Sequence, residues 1–260
     1  MNISKSSPPA DACTLIERQI RHWDRMTAIL KKTSGGKSLA EVTKRPVLTV
    51  SGLAGSGRER VALALCKDLE YELFGCELLD AVALDLHCQR MLLDSLDERV
   101  RSNLEVMFES LIRGREIENQ DYIRALVRVM GSLAEKGGAV ILGRGGAFIL
   151  GEKAGLRILV EAPLPLRVKR VMECRKIGEA EARRYIKIKD YDKRKFCRRH
   201  FRREICDSMA FDLAINTERI EPEQAVRIVR SALAARGIEI GKPAFPCAAV
   251  VGEAAAPPPH

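Results

Sequence analysis

The chain has 260 residues, 46% of them hydrophobic, which is enough for one large α/β domain or two small ones. No run approaches the ~18–20 apolar residues of a membrane-spanning helix, and the N-terminal segment MNISKSSPP lacks the apolar region of a secretory signal. We therefore expect a cytoplasmic protein without a membrane partner, while the formal net charge of +9 favours anionic ligands.

The first 45 residues are predicted to form one helix and a linker. Residues 1–9 are of low complexity, and residues 33–38 read as the linker. Between them, apolar side chains recur at helical spacing at Leu15, Ile16, Ile20, Trp23, Met26 and Leu30. This helix is expected to dock on the main domain, although a partner helix would require the same pattern.

A glycine-rich loop follows the first strand of the main domain. Gly52 and Gly57 have the spacing of the P-loop pattern G-x-x-x-x-G-K-[ST], with Gly55 and Ser56 between them. Such a loop and the helix behind it direct backbone N–H groups at phosphate. Arg58 stands where the pattern has Lys, and Glu59 where it has a hydroxyl residue that binds Mg²⁺. The alternative is a glycine-rich β–α turn without a ligand.

From residue 46 to about 240, strands alternate with helices, which predicts a parallel sheet of about five strands with helices on its faces. The ligand of such a fold binds at the carboxyl ends of the strands. Residues 241–260 are expected to be a disordered tail. The predicted strands are Leu48–Ser51, a weak one within Tyr71–Leu79, Ala139–Leu142, Leu156–Glu161 and Phe211–Asn216. The predicted helices are Gly57–Leu69, long patterns from about Val82 to Lys136, one starting at Arg167–Met172, Glu179–Arg203 and Pro222–Ala235.

Arg144 comes directly after the buried strand Ala139–Leu142, between glycines. A planar guanidinium at the carboxyl edge of the sheet is suited to a phosphate group. The alternative is an arginine that extends from a turn into solvent.

The segment from Arg167 to Arg203 is strongly basic, with sixteen Lys or Arg against five Asp or Glu. We interpret residues 174–206 as a helical lid, open in the free protein, whose charges close over bound phosphates. A solvated helix face would have the same composition. The side chains expected to close over the ligand are Arg167, Arg170, Asp190, Lys193 and Arg194.

Eight cysteines are dispersed along the chain without a C-x-x-C pair. This pattern favours free thiols in a reducing compartment over disulfides or a metal site, so no residue is predicted to ligate a metal.

Several stretches resemble the cytidylate kinase-like family of P-loop nucleoside-monophosphate kinases over about residues 46–235. They are GSGRE at 55–59, Tyr122 with Leu126, GAVILGRG at 138–145, APLPLRVKRVM at 162–172, FCRRHF at 196–201 and FDLAINT at 211–217. The resemblance implies phosphoryl transfer from ATP, with Mg²⁺, to a nucleoside monophosphate, CMP by resemblance only. Gly52, Gly55, Ser56, Gly57 and Arg58 would then hold the donor phosphates of ATP, Glu59 would make at most one contact to its Mg²⁺, and Arg144 would bind the acceptor.

One position departs from the family. Gly75 stands where family members have an acidic residue near the acceptor, and Asp80 could replace it only with a different local backbone. The Asp-x-x-Arg of the lid becomes Asp190-Tyr191-Asp192-Lys193, with Arg194 adjacent.

Two other functions remain open at this point. A nucleotide-binding regulator of the same fold without turnover is compatible with Glu59 and Gly75. A nucleic-acid binder is compatible with the charge alone, since the basic run lacks interleaved aromatic residues, and no specific nucleic-acid partner is predicted.

Overall fold

The computed structural model describes residues 14, 16–17, 20–21, 45–113, 119–238 and 240. The predicted linker at 33–38 and the predicted tail at 241–260 lie outside these residues, as does most of the N-terminal helix. The described positions of that helix are helical, and Ile16 is fully buried in the core beside α-helical residues of the main domain.

The centre of the fold is a five-stranded sheet in the order β2-β3-β1-β4-β5, in which every pairing is parallel. This confirms the predicted parallel sheet of five strands. Thr49 of β1 lies beside Ile141 of β3, and Val50 lies beside Ile158 of β4. The strands are β1 (Leu48–Gly52), β2 (Glu72–Phe74), β3 (Ala139–Leu142), β4 (Leu156–Glu161) and β5 (Leu213–Asn216).

Nine helices flank the sheet within the described part of the main domain. They are α1 (Arg58–Leu69), α2 (Cys76–Leu84), α3 (Leu86–Asp94), α4 (Glu98–Ile112), α5 (Gln120–Lys136), α6 (Gly146–Leu150), α7 (Leu164–Arg175), α8 (Glu179–Phe201) and α9 (Pro222–Ala235). Short 3₁₀ turns at Gly151–Lys153 and Ser208–Ala210 complete the described elements.

Two hydrophobic layers cover the two faces of the sheet. Ile141 packs with α2 and α5 on one face, whereas its neighbours Val140 and Leu142 pack with α1 and α9 on the other. Side chains alternate between the two faces of a strand. Because β3 is buried on both faces, its sequence is a continuous apolar run.

The long pattern between residues 82 and 136 is divided into separate helices that the periodicity did not resolve. Asp85 ends α2 and caps α3, because its carboxylate accepts from the amides of His87 and Cys88. Helix α7 also begins three residues before the predicted Arg167, directly after Pro163. A capping aspartate and a proline set these helix boundaries. Hydrophobic periodicity contains no information about either residue.

The prediction of free thiols is wrong for Cys88, which is fully buried and disulfide-bonded. Tertiary packing brings such a sulfur to its partner, and the spacing along the chain does not reveal it. The thiols at positions 66, 76, 174, 197 and 206 are free.

No helix in the described ranges is long and apolar enough to cross a membrane.

Candidate functional site

The glycine-rich loop connects β1 to α1 and presents the start of that helix to a cleft. Gly55 and Gly57 have φ values of 74° and 87°. A Cβ on Gly55 would lie 2.6 Å from the backbone oxygen of Arg167, so a glycine is required there. Gly57 is the N-cap of α1 and supplies no side-chain cap. The first-turn amides of α1 are therefore left to bind an anion.

Arg58 and Glu59 form an ion pair at the mouth of this loop. Arg58 is 7% exposed, and its Nε donates to Glu59 Oε1 at 2.8 Å. Burial opposes the charge of Arg58, but Glu59 outweighs it and raises the pKa of the guanidinium. Burial likewise opposes the charge of Glu59, and Arg58 lowers the pKa of that carboxyl. Both groups are consequently charged at neutral pH.

Arg170 and Thr217 hold the other side of the loop. Arg170 donates from Nη1 to the Thr217 hydroxyl at 2.8 Å and to the Ser56 carbonyl at 3.2 Å. The Thr217 hydroxyl in turn donates to the Ser56 carbonyl at 2.7 Å. Thr217 was not among the predicted site residues, although it ends the FDLAINT stretch that carries the resemblance. Its place at the end of β5 could have revealed it.

The structure places Arg167 and Asp190 differently from the expected position over the cleft. They form a buried ion pair with side chains 9% and 12% exposed, and neither lines the cleft. Arg167 Nε donates to the carbonyl of Ala54 at 2.8 Å, and Asp190 Oδ1 accepts from the amide of Ala54 at 2.9 Å. Both side chains therefore bind the loop backbone at Ala54.

Lys193 is a cation of α8 that lines the cleft and reaches the loop. Its Nζ lies 3.3 Å from the carbonyl of Gly52. Burial lowers the pKa of Lys193 to about 8, and the nearby charge of Arg58 contributes to the shift. Arg194, expected to act with Lys193, points away from the cleft and lines a separate groove. The structure therefore does not bring Arg194 to the loop together with Lys193, because adjacent helical residues point about 100° apart.

Arg144 belongs to a polar cluster across the cleft from the loop. Its φ of 47° is left-handed, and its Nε donates to Asp80 Oδ1 at 2.6 Å. A second guanidinium nitrogen bonds Asp80 Oδ2, and Tyr122 donates its hydroxyl to Oδ1 at 2.6 Å. Burial opposes the charge of Arg144, but the bond to Asp80 raises its pKa. Arg144 also lies over the ring of Phe196, 5.8 Å from its centroid.

These residues line one cleft of about 1040 Å³ at the carboxyl ends of β1 and β3. Seven Lys or Arg and four Asp or Glu face it. Of the predicted site residues, Gly55, Gly57, Arg58, Glu59, Arg144, Arg170 and Lys193 are brought together on its walls. Ser56 is fully buried, and Gly52 contributes its carbonyl. The cleft is thus a cationic site of nucleotide size, located where the sequence predicted a ligand.

Comparison with known proteins identifies the family. The sequence model of the cytidylate kinase-like family matches residues 47–219, which is most of the main domain. The chain belongs to the cytidylate kinase-like family.

Relatives of the chain bear the same family name. A cytidylate kinase of Natronomonas pharaonis is 29% identical over 201 residues, covering 72% of this chain and 88% of the relative. A cytidylate kinase of Staphylothermus marinus is 33% identical over 115 residues, covering 44% of this chain and 60% of the relative.

A solved structure shares the fold. The crystal structure of an uncharacterized protein from Eubacterium ventriosum superposes with a TM-score of 0.53 at 20% identity, covering 74% of this chain and all of that one. This similarity supports the architecture and carries no information about the reaction.

Proposed function

We propose that this protein transfers the γ-phosphoryl group of ATP to a nucleoside monophosphate, with CMP as the first acceptor to test. The observation that carries the proposal is the uncapped start of α1 in a cleft that also holds Arg58, Arg170 and Lys193. Phosphoryl transfer depends on positioning and on neutralising charge at the phosphate oxygens, and this arrangement supplies both. The names of the relatives support the substrate class.

The donor phosphates would lie against the loop from Gly52 to Glu59. The first-turn amides of α1 bind the phosphate oxygens, and Arg58 provides a buried positive charge beside them. Lys193 approaches from α8 and would be held fully protonated by the ligand's negative charge. Arg170 and Thr217 hold the loop in place because both donate hydrogen bonds to the Ser56 carbonyl.

The acceptor phosphate would lie on the opposite wall, near Arg144. Asp80 accepts hydrogen bonds from Arg144 and Tyr122, which fixes the guanidinium plane. Phe196 packs against the Arg144 guanidinium, 5.8 Å from its ring centroid. Because Asp80 is engaged in this cluster, it is poorly placed to replace the carboxylate that family members have at position 75.

A magnesium ion fits the residues at the mouth of the loop. Glu59 has an ionised carboxylate that is half exposed and faces the cleft, and Asp192 lines the same cleft. Such oxygens suit Mg²⁺, which binds through one or two carboxylates, substrate phosphates and water. When bound, the ion would neutralise charge on the transferred phosphoryl group. Glu59 is also paired with Arg58, so we expect it to contribute at most one contact.

The donor side is tested by ATP binding to Arg58 variants. Arg58→Ala should weaken ATP binding, measured by calorimetry, by on the order of 10- to 100-fold, since it removes a charge-assisted contact. Arg58→Lys should restore part of the affinity because it restores the charge. An unchanged affinity of Arg58→Ala for ATP would show that the loop does not bind the donor phosphates.

The reaction is tested by measuring ADP formation with and without a panel of nucleoside monophosphates. We expect ADP release that depends on the acceptor, with CMP among the accepted compounds. The competing function is a nucleotide-binding regulator without turnover, which Gly75 favours because Asp80 is already engaged. ATP binding without ADP formation for any acceptor would establish that alternative.

A further inference from the structure

Helix α8 carries a second cationic groove on the face opposite the nucleotide cleft. The groove has a volume of about 1000 Å³ and shares no lining residue with the cleft. Leu164, Tyr191 and the Arg167–Asp190 pair contribute to its wall. Its cationic lining consists of Arg183, Lys187, Arg194, Lys195, Arg198 and Arg199.

The helical period explains why one helix serves two cavities. Lys187, Arg194 and Arg198 recur along one stripe of α8, whereas Lys189, Lys193 and Phe196 recur along another. Two residues along an α-helix are rotated by about 200° around its axis, so two stripes offset by two residues lie on opposite faces of the helix. Lys187, Arg194 and Arg198 therefore face away from a nucleotide held by the loop, and the function proposed for the cleft does not account for them.

Part of this positive charge is unneutralised. Among the residues that line the groove, Asp190 is the one acid, and its carboxylate is committed to Arg167 and to the amide of Ala54. Arg183 and Arg198 are paired with Glu179 and Glu204. Lys187 and Lys195 are exposed and have no ion pair with any residue that the structure describes.

We propose that this groove is a binding site for a short phosphate chain, an oligophosphate of about three linked phosphates. Lys187 and Lys195 lie about 12 Å apart along the helix axis, and their flexible side chains can converge on an extended anion with charges repeated along its length. The buried Arg167–Asp190 pair forms a rigid floor, and the rim cations Lys187 and Lys195 bind the ligand. The site is independent of the function proposed for the cleft.

The groove is unsuited to single-stranded nucleic acid. Binding of that kind relies on several aromatic side chains on which successive bases stack. Tyr191 is the one aromatic residue in the lining, and its ring is already approached by Lys195, with Nζ 5.8 Å from the centroid. The cations are therefore left to recognise phosphate without bases.

The test uses inorganic tripolyphosphate and lysine footprinting on the full chain. An amine-reactive reagent labels exposed lysines, and mass spectrometry reports the rate at each position. Lys187 and Lys195 should react at least about threefold more slowly in the presence of tripolyphosphate. Lys169, exposed on α7 and outside both cavities, is the internal control and should be unaffected. Lys189 reports the cleft separately, so binding there is distinguished from binding in the groove.

A charge-matched pair of variants completes the experiment. Lys187→Glu with Lys195→Glu should weaken tripolyphosphate binding to the groove by on the order of 10- to 100-fold. The control, Lys169→Glu with Arg184→Glu, makes the same change in net charge on exposed positions outside both cavities and should weaken it less than about threefold. Equal labelling of Lys187 and Lys195 with and without tripolyphosphate would overturn the proposal. So would an equal loss in both variants, or protection by a single-stranded oligonucleotide but not by tripolyphosphate.

Discussion

Lys193 is the residue of the cleft whose protonation we expect to respond to a bound nucleotide. Its amine is buried beside Arg58, which lowers its pKa to about 8 in the free protein. A bound phosphate would reverse part of that shift, because negative charge favours the protonated amine. Binding of ATP near pH 8 should thus take up a fraction of a proton, and affinity should fall as the pH rises above 8. At pH 6 the amine is protonated in both states and the uptake from Lys193 should vanish.

This proton uptake is measured by titrating ATP in two buffers of different ionisation enthalpy at the same pH. Lys193→Arg is the control, since an arginine stays protonated throughout the range. The variant retains the titration of the nucleotide itself, so the difference between the two proteins isolates Lys193. An identical proton uptake in both proteins would show that Lys193 does not face the bound phosphate.

Gly75 offers a test of acceptor binding at a single position. Its backbone, with φ −73° and ψ 170°, is open to any residue, and the nearest atom to an added Cβ is Glu77 Oε2 at 3.7 Å. Gly75 is also the N-cap of α2, where Asp and Gly differ by only a few tenths of a kcal/mol. Gly75→Asp should therefore fold normally and raise the activity toward CMP, measured as ADP formation.

Gly75→Asn separates charge from capping in this experiment. Asparagine caps a helix about as well as aspartate but carries no negative charge. A gain in Gly75→Asp that is absent from Gly75→Asn would assign the effect to the carboxylate. No gain in a well-folded Gly75→Asp would count against CMP as the acceptor, or against a need for acid at this position.

The pair Arg167 and Asp190 joins α7 and α8 to the loop at Ala54. Removing one partner of a buried ion pair leaves an uncompensated charge, which costs about 3–5 kcal/mol. Arg167→Ala should therefore lower the free energy of unfolding by about that amount in urea denaturation. Arg183 and Glu179 form an exposed ion pair within α8. Arg183→Ala should therefore lower the free energy of unfolding by less than about 1 kcal/mol. Equal losses in both variants would show that the buried pair does not anchor the loop.

Strands β3 and β4 were predictable from sequence because most of their residues are buried. Ala139–Leu142 and Leu156–Glu161 have the predicted bounds, as their apolar runs are interrupted by glycine or proline at the ends. The loop from Gly52 to Gly57 was predictable for a related reason, since its backbone conformation requires glycine at fixed spacing. Local chemistry alone determines these features.

The direction of the basic side chains on α8 was not predictable from composition. Arg194 and Lys193 are adjacent in the chain, yet they face different cavities. Asp190 resembles a ligand-facing acid in sequence, but it accepts from a backbone amide 136 residues away. Both outcomes depend on the rotation of α8 against α7 and the loop, which the tertiary packing of Ala54 with Val168 and Ile186 determines.

The distribution of charge over the whole molecule predicts how the region from residue 174 to residue 206 responds to ligand. The local excess of cations is repulsive without an anion, while Asp190 and Lys193 tie the centre of α8 to the loop. We expect the amides near Asp190 to be protected from hydrogen exchange in the free protein and the flanking turns to exchange faster.

Added ATP should slow exchange in those flanking turns, because bound phosphate offsets the repulsion between the cations. The effect should shrink at high salt, since the Debye length falls from ~10 Å at 0.1 M to ~3 Å at 1 M. Hydrogen exchange with mass spectrometry, with and without ATP at both salt concentrations, measures this. The amides of α9 on the far side of the sheet provide the control and should not change. Equal protection of residues 174–206 in all four conditions would show that these charges form a static surface and not a lid.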